Sequence, residues 1–80
     1  MDKKTKIKIK KLIEKTYPYD YVNQKKFYEK QTESYQFMNN LPDSEFKKMI
    51  AKEFPNDFII QKDYYIEQKE AYEFMEKVLD

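Results

Sequence analysis

The sequence predicts an all-α fold of four helices, made of two tandem αα-hairpin repeats with a period of 37 residues and arranged as a pseudo-two-fold bundle. Three observations predict it: an internal duplication, a complete absence of glycine, and a Pro-x-Asp-aromatic turn that occurs twice. Residues 10–41 set against residues 47–78 give fourteen identical pairs in 32. A composition this biased would match roughly a tenth of positions by chance. Seven further pairs are close swaps, among them Leu12/Met49, Tyr17/Phe54, Tyr21/Phe58 and Val22/Ile59. Strand-rich folds use Gly in their hairpin turns and bulges, so 80 residues without one favour helices joined by short loops.

Each repeat opens with a short helix. Ile9, Leu12 and Ile13 fall at i, i+3, i+4 in the first copy, and Phe46, Met49 and Ile50 do so in the second. That is the period of a helix face. Lys6-Ile7-Lys8-Ile9-Lys10 alternates like a strand, but the corresponding Ser44-Glu45-Phe46-Lys47 does not. Leu41-Pro42-Asp43-Ser44 supplies a turn, with Asp43 or Ser44 as the N-cap of the third helix.

Tyr17-Pro18 and Phe54-Pro55 end the short helices, because a residue before Pro is pushed out of the α region. Asp20 and Asp57 then cap the long helices. The expected helices run near 6–16, 21–40, 44–53 and 58–79. The whole chain, 1–80, reads as one helical domain, with repeat one at about 6–41, repeat two at about 43–79 and a basic arm at 1–8.

The long helices carry a seam. Gln24, Tyr28, Gln31, Tyr35 and Met38 step by 4, 3, 4, 3, and so do Gln61, Tyr65, Gln68, Tyr72 and Met75. This spacing packs helix on helix. The seam is symmetric about Gln31 and Gln68. Antiparallel long helices would bring those two amides together, with Tyr28 near Tyr72, Tyr35 near Tyr65, Gln24 near Met75 and Met38 near Gln61. An alternative use of the same seam is a repeated partner-binding face, since Tyr is favoured at interfaces.

The chemistry on offer is narrow. With no Cys and no His there is no thiol nucleophile, no His base and no thiolate or imidazole metal site. Ser34 stands where the other copy has Ala71, which reads as a small packing residue. Glu29/Glu33, Glu67/Glu70 and Glu70/Glu73 are helical carboxylate pairs, but the bundle-type metal site needs Glu-x-x-His. The expectation is therefore no enzyme, no cofactor and no metal. Apolar runs are too short to span a membrane, and no apolar stretch follows the basic N-terminus as in a signal peptide, so a cytoplasmic protein is expected.

Charge is divided unevenly. Residues 1–15 hold seven Lys against two acids, and residues 16–80 hold nine Lys against thirteen acids. All sixteen basic residues are Lys, so the bidentate reading of guanine that Arg performs is excluded. The leading expectation is a small protein-binding module, with Tyr17, Tyr19, Tyr28, Tyr35, Tyr65 and Tyr72 as candidate contact residues and a dimeric or repetitive partner. An accessory or inhibitor protein of a phage or other mobile element fits the size and composition. The alternative is nucleic-acid binding of low sequence specificity, with Lys3, Lys4, Lys6, Lys8, Lys10 and Lys11 on phosphates and Tyr17, Tyr19 and Tyr21 stacking on bases. Ile9, Leu12 and Ile13 beside the lysines offer a weaker case for a membrane surface, because their copies lie at core positions. A monomer and a homodimer are both compatible with the sequence.

Overall fold

The computed structural model describes residues 1–78. They form four helices and no strand: α1 (Lys3–Thr16), α2 (Tyr21–Asn40), α3 (Glu45–Glu53) and α4 (Phe58–Lys77). The ends of α1, α2 and α3 and the starts of α2, α3 and α4 lie within a residue of expectation, and α4 ends at Lys77, before the expected 79. The start of α1 differs, because residues 3–8, expected as an arm, are its first turns. Asp2 is the reason: its carboxylate accepts the Thr5 amide at 2.7 Å and so caps a helix there. Leu79, the expected end of the last helix, lies outside the described residues.

The turns after α1 and α3 share one geometry. Tyr17 leaves α1 at φ −128°, ψ 67°, and Phe54 leaves α3 at φ −125°, ψ 66°. Two residues on, Tyr19 (φ 62°) and Asn56 (φ 66°) take the left-handed conformation. Asp20 and Asp57 then accept the amides of Asn23 and Ile60, each at 3.2 Å. A glutamine closes each turn from inside the long helix. Gln24 Nε2 donates to the Tyr17 carbonyl and Gln61 Nε2 to the Phe54 carbonyl, both at 2.8 Å. Each carbonyl also accepts the turn's own amide, from Asp20 at 3.3 Å and from Asp57 at 3.5 Å, so the glutamine adds a second and shorter bond to a carbonyl that has no partner within its helix. Ser44 caps α3 by accepting the Lys47 amide at 3.0 Å.

Within each hairpin the short helix packs on the start of the long one. Tyr17 meets Phe27 edge-on at 5.6 Å, and Phe54 meets Tyr64 at 5.3 Å. The fully apolar core is thin: Ile9, Ile13, Met38 and Ile50. Polar residues complete it, namely Gln31, Ser34 and Gln61.

The long helices do not pack antiparallel. Gln31 meets Asp57 and Phe58, Tyr35 stacks on Phe58, and Phe37 lies on Tyr65. Partners on α4 rise in number with those on α2, so the two helices run in the same sense where they touch. α3 is the cause. It folds back antiparallel for nine residues, about 14 Å at 1.5 Å per residue, and the chain then turns again. α4 therefore starts beside the middle of α2, at Gln31, and continues past its end. The predicted Gln31–Gln68, Tyr28–Tyr72 and Tyr35–Tyr65 pairs do not form.

This stagger makes the molecule long, 53 × 22 × 18 Å. Its radius of gyration is 15.0 Å, where about 12 Å is usual for 80 residues. The accessible surface of 6595 Å² exceeds by about a quarter the roughly 5,200 Å² of a compact 10 kDa protein.

Candidate functional site

Two surfaces stand out, and the contact between the hairpins explains both. At that contact Gln31 is fully buried. Its Nε2 donates to Asp57 Oδ1 at 3.1 Å, and its Oε1 accepts the Phe58 amide at 2.8 Å. One side chain thus satisfies both the cap residue and a free amide of the first turn of α4. Around it, Tyr35 meets Phe58 edge-on at 5.0 Å. Phe37 meets Tyr65 at 6.0 Å and carries the Lys62 ammonium at 5.1 Å from its ring centre. Met38 is 4% exposed. Lys47 donates to the Leu41 carbonyl at 2.9 Å, and Asp43 lies 3.6 Å away.

The first surface is the second half of α4. Every residue from 67 to 78 is exposed. Tyr72, Phe74, Met75 and Val78 are 65%, 67%, 61% and 56% exposed, although their copies Tyr35, Phe37, Met38 and Leu41 are covered. Gln68, the copy of the buried Gln31, faces solvent. Phe46, Tyr65, Gln68, Lys69 and Tyr72 line a shallow groove at the root of this face.

The second surface is at the other end, where α1 meets the start of α2. Open grooves here are lined by Lys10, Glu14, Pro18, Tyr19, Tyr21 and Gln24, and beside them by Lys25 and Tyr28. Tyr19, Tyr21 and Val22 are largely exposed. Tyr19 also holds a left-handed backbone, which is costly for a residue with a bulky side chain.

The candidate tyrosines divide into two groups. Tyr19 and Tyr72 are exposed and Tyr28 is partly so, while Tyr17, Tyr35 and Tyr65 are packed against other aromatic rings. The sequence reading passed over Val22, Phe74 and Val78 as contact residues, named Tyr21 only for stacking on bases, and named Met75 only as part of the seam. The signal was in their type, since each copies an apolar position of the other hairpin. What lacked a signal was which copy would be left uncovered.

Candidate phosphate contacts Lys3, Lys4, Lys6, Lys8, Lys10 and Lys11 are all exposed on α1. Helical geometry sorts them. Lys4, Lys8, Lys11 and Lys15 step by 4, 3, 4 along the side opposite the buried Ile9 and Ile13. Lys6 and Lys10 instead border the groove beside Tyr21.

Asp2 carries a displaced carboxyl. The Thr5 backbone hydrogen bond, helped by the Thr5 side chain, holds it below the usual aspartate range. Among the described residues no three metal-ligating side chains come together, and no helix is long and apolar enough to cross a membrane. No protein-family model matches the chain, and neither curated proteins nor solved structures match it.

Proposed function

We propose that the chain consists of two tandem αα-hairpin units of period 37 and acts as a non-enzymatic, cytoplasmic protein-binding module. One observation carries the reading: Tyr72, Phe74, Met75 and the C-cap Val78 are exposed along the end of α4, whereas their copies Tyr35, Phe37 and Leu41 are partly covered and Met38 is buried. An aromatic and thioether row of this kind is what helix-docking interfaces use as anchors. Occupying a partner surface, as an accessory or inhibitor protein of a phage or mobile element would, suits the row. The test is a photo-cross-linking residue at position 74, with position 52, exposed on α3, as control. The reading expects a protein adduct from position 74 and none from position 52. Equal yields from both, or none from either, would overturn it.

A second reading rests on the outward stripe of Lys4, Lys8, Lys11 and Lys15. Four point charges in a row suit a phosphate backbone and carry no base reading. Replacing all four by Gln should flatten the salt dependence of nucleic-acid affinity by a log–log slope of about 3. An unchanged slope excludes the stripe.

A further inference from the structure

We infer that the partner of the open α4 face is a second copy of this chain, docked head to tail, with its α1–α2 end seated where α3–α4 sits on α2. This deepens the protein-binding reading and rests on it.

The internal contact between the hairpins is the template. Its donor side is Gln31, Tyr35, Phe37, Met38 and the carbonyl of Leu41. Moved by 37, these become Gln68, Tyr72, Phe74, Met75 and Val78, of which the first four are identical and the last is a Leu-to-Val swap. All five are exposed. The receiving side is Asp57, Phe58, Gln61, Lys62, Tyr65 and Lys47. Moved back by 37, these become Asp20, Tyr21, Gln24, Lys25, Tyr28 and Lys10, of which only Phe58/Tyr21 changes, while Ala51, which also lines the contact, becomes Glu14. Five of these six line the open grooves at the far end. Each molecule thus carries both halves of an interface it already makes once, and both halves are free.

The contacts follow position by position. Gln68 of one copy would take the Asp20 carboxylate and the Tyr21 amide of the next. Tyr72 would stack on Tyr21, Phe74 on Tyr28 with Lys25 over its ring, and Lys10 would reach the Val78 carbonyl. Asp20 Oδ1 is placed as Asp57 Oδ1 is, because each caps its helix, while Asp20 Oδ2 also accepts the Asn23 side chain at 2.6 Å where the copy has Ile60.

Charge favours the same joint. Glu67, Glu70, Glu73 and Glu76 outnumber Lys69 and Lys77 on the open half of α4, and the helix C-terminus adds partial negative charge. α1 brings seven lysines against Glu14 and the capping Asp2. Surface area agrees too. The quarter excess over a compact protein is close to the roughly 1,600 Å² that one chain would hide by using both faces, at about 800 Å² each.

A joint made from two different faces has no two-fold axis, so each added copy exposes another free face. Mass in sedimentation equilibrium should rise with concentration without stopping at two copies. The internal joint is tethered, and the intermolecular one is not, so measurement should extend to about 1 mM, the effective concentration of a short tether. Association should weaken with salt.

The decisive experiment uses Tyr72→Glu and Tyr21→Glu, which alter one exposed residue at opposite ends. Circular dichroism confirms that each stays helical. Each variant alone should lose self-association, by about tenfold or more. Mixed at 1:1, they should form a dimer that grows no further, since only one intact pair of faces remains. A Tyr21→Glu protein that associates as the parent does would overturn the inference, as a symmetric α4–α4 contact predicts that result. So would a parent chain that stays monomeric throughout. If it stays monomeric while the residue at position 74 cross-links to a different protein, the second copy is excluded and the binding reading stands. If nothing is cross-linked either, both fall.

Discussion

Gln31 and Gln68 occupy the same place in the two copies of the seam, and their surroundings are opposites. Gln31 is fully buried, with both ends of its amide engaged by the first turn of α4. Gln68 lies on an open face of a helix whose last eleven residues touch little. The residue is identical, so nothing intrinsic to it sets the difference. What differs is what packs against it: the first turn of α4 covers Gln31, and no described element covers Gln68. An amphipathic stripe specifies a surface that can be buried, and only the next element in space decides whether it is.

Predictions that probe this comparison start with the positions where the copies agree. Ile13 and Ile50 are both buried, and Ala at either should cost about 2–5 kcal/mol in urea unfolding. A large cost at Ile50 alone would mean that the first hairpin contributes little to global stability. The glutamines come next. Gln31→Leu strands the Phe58 amide and should cost about 1–3 kcal/mol. Gln68→Leu, on an exposed face, should change stability by less than about 0.5 kcal/mol at low protein concentration. Equal costs would dissolve the contrast. A double-mutant cycle of Gln31→Leu with Asp57→Ala sharpens it, with an expected coupling of about 0.5–3 kcal/mol.

A smaller effect is expected at the turns. Tyr19 and Asn56 share the left-handed conformation, which Asn accepts more readily. Tyr19→Asn should therefore stabilise the fold by up to about 1 kcal/mol. Smallest is the pH response of Asp2. Its folded carboxyl titrates below the unfolded one, so its capping contribution is complete above the unfolded aspartate value. That contribution is lost as pH falls through the depressed value. Amide exchange at Thr5 should quicken over that range, with no such change at Lys47, whose cap is a serine hydroxyl.

Much of the fold was legible in the sequence, for reasons that are local. Pro18 and Pro55 end helices by sterics, and Asp20, Ser44 and Asp57 start them by hydrogen bonding. Each signal acts over about four residues. The direction of α4 against α2 was not read from the seam. A stripe such as Gln31–Tyr35–Met38 says which side meets a neighbour and is silent about which neighbour, or which way it runs. The needed fact was nonetheless present in the length of α3. Nine residues fold back by about 14 Å and place Asp57 beside Gln31. At the candidate site, Tyr19 and Tyr72 were named as contacts, Met75 only as part of the seam, and Phe74 was passed over. Identity across the copies marked Tyr72, Phe74 and Met75 as interface residues, whereas Tyr19 answers to Asn56, and exposure depends on which element packs beside them.

The short third helix sets a condition on how such a chain can change. It measures the distance from one glutamine to the aspartate that must meet it. Inserting one residue would turn Asp57 by 100° about the helix axis and aim it away from Gln31. Lengthening elsewhere is cheap by comparison. A third 37-residue segment grafted after position 78 would find Gln68, Tyr72, Phe74 and Met75 waiting for its own capping aspartate. A gene of this design can therefore grow by copying whole segments, while being nearly unable to gain or lose a single codon inside α3.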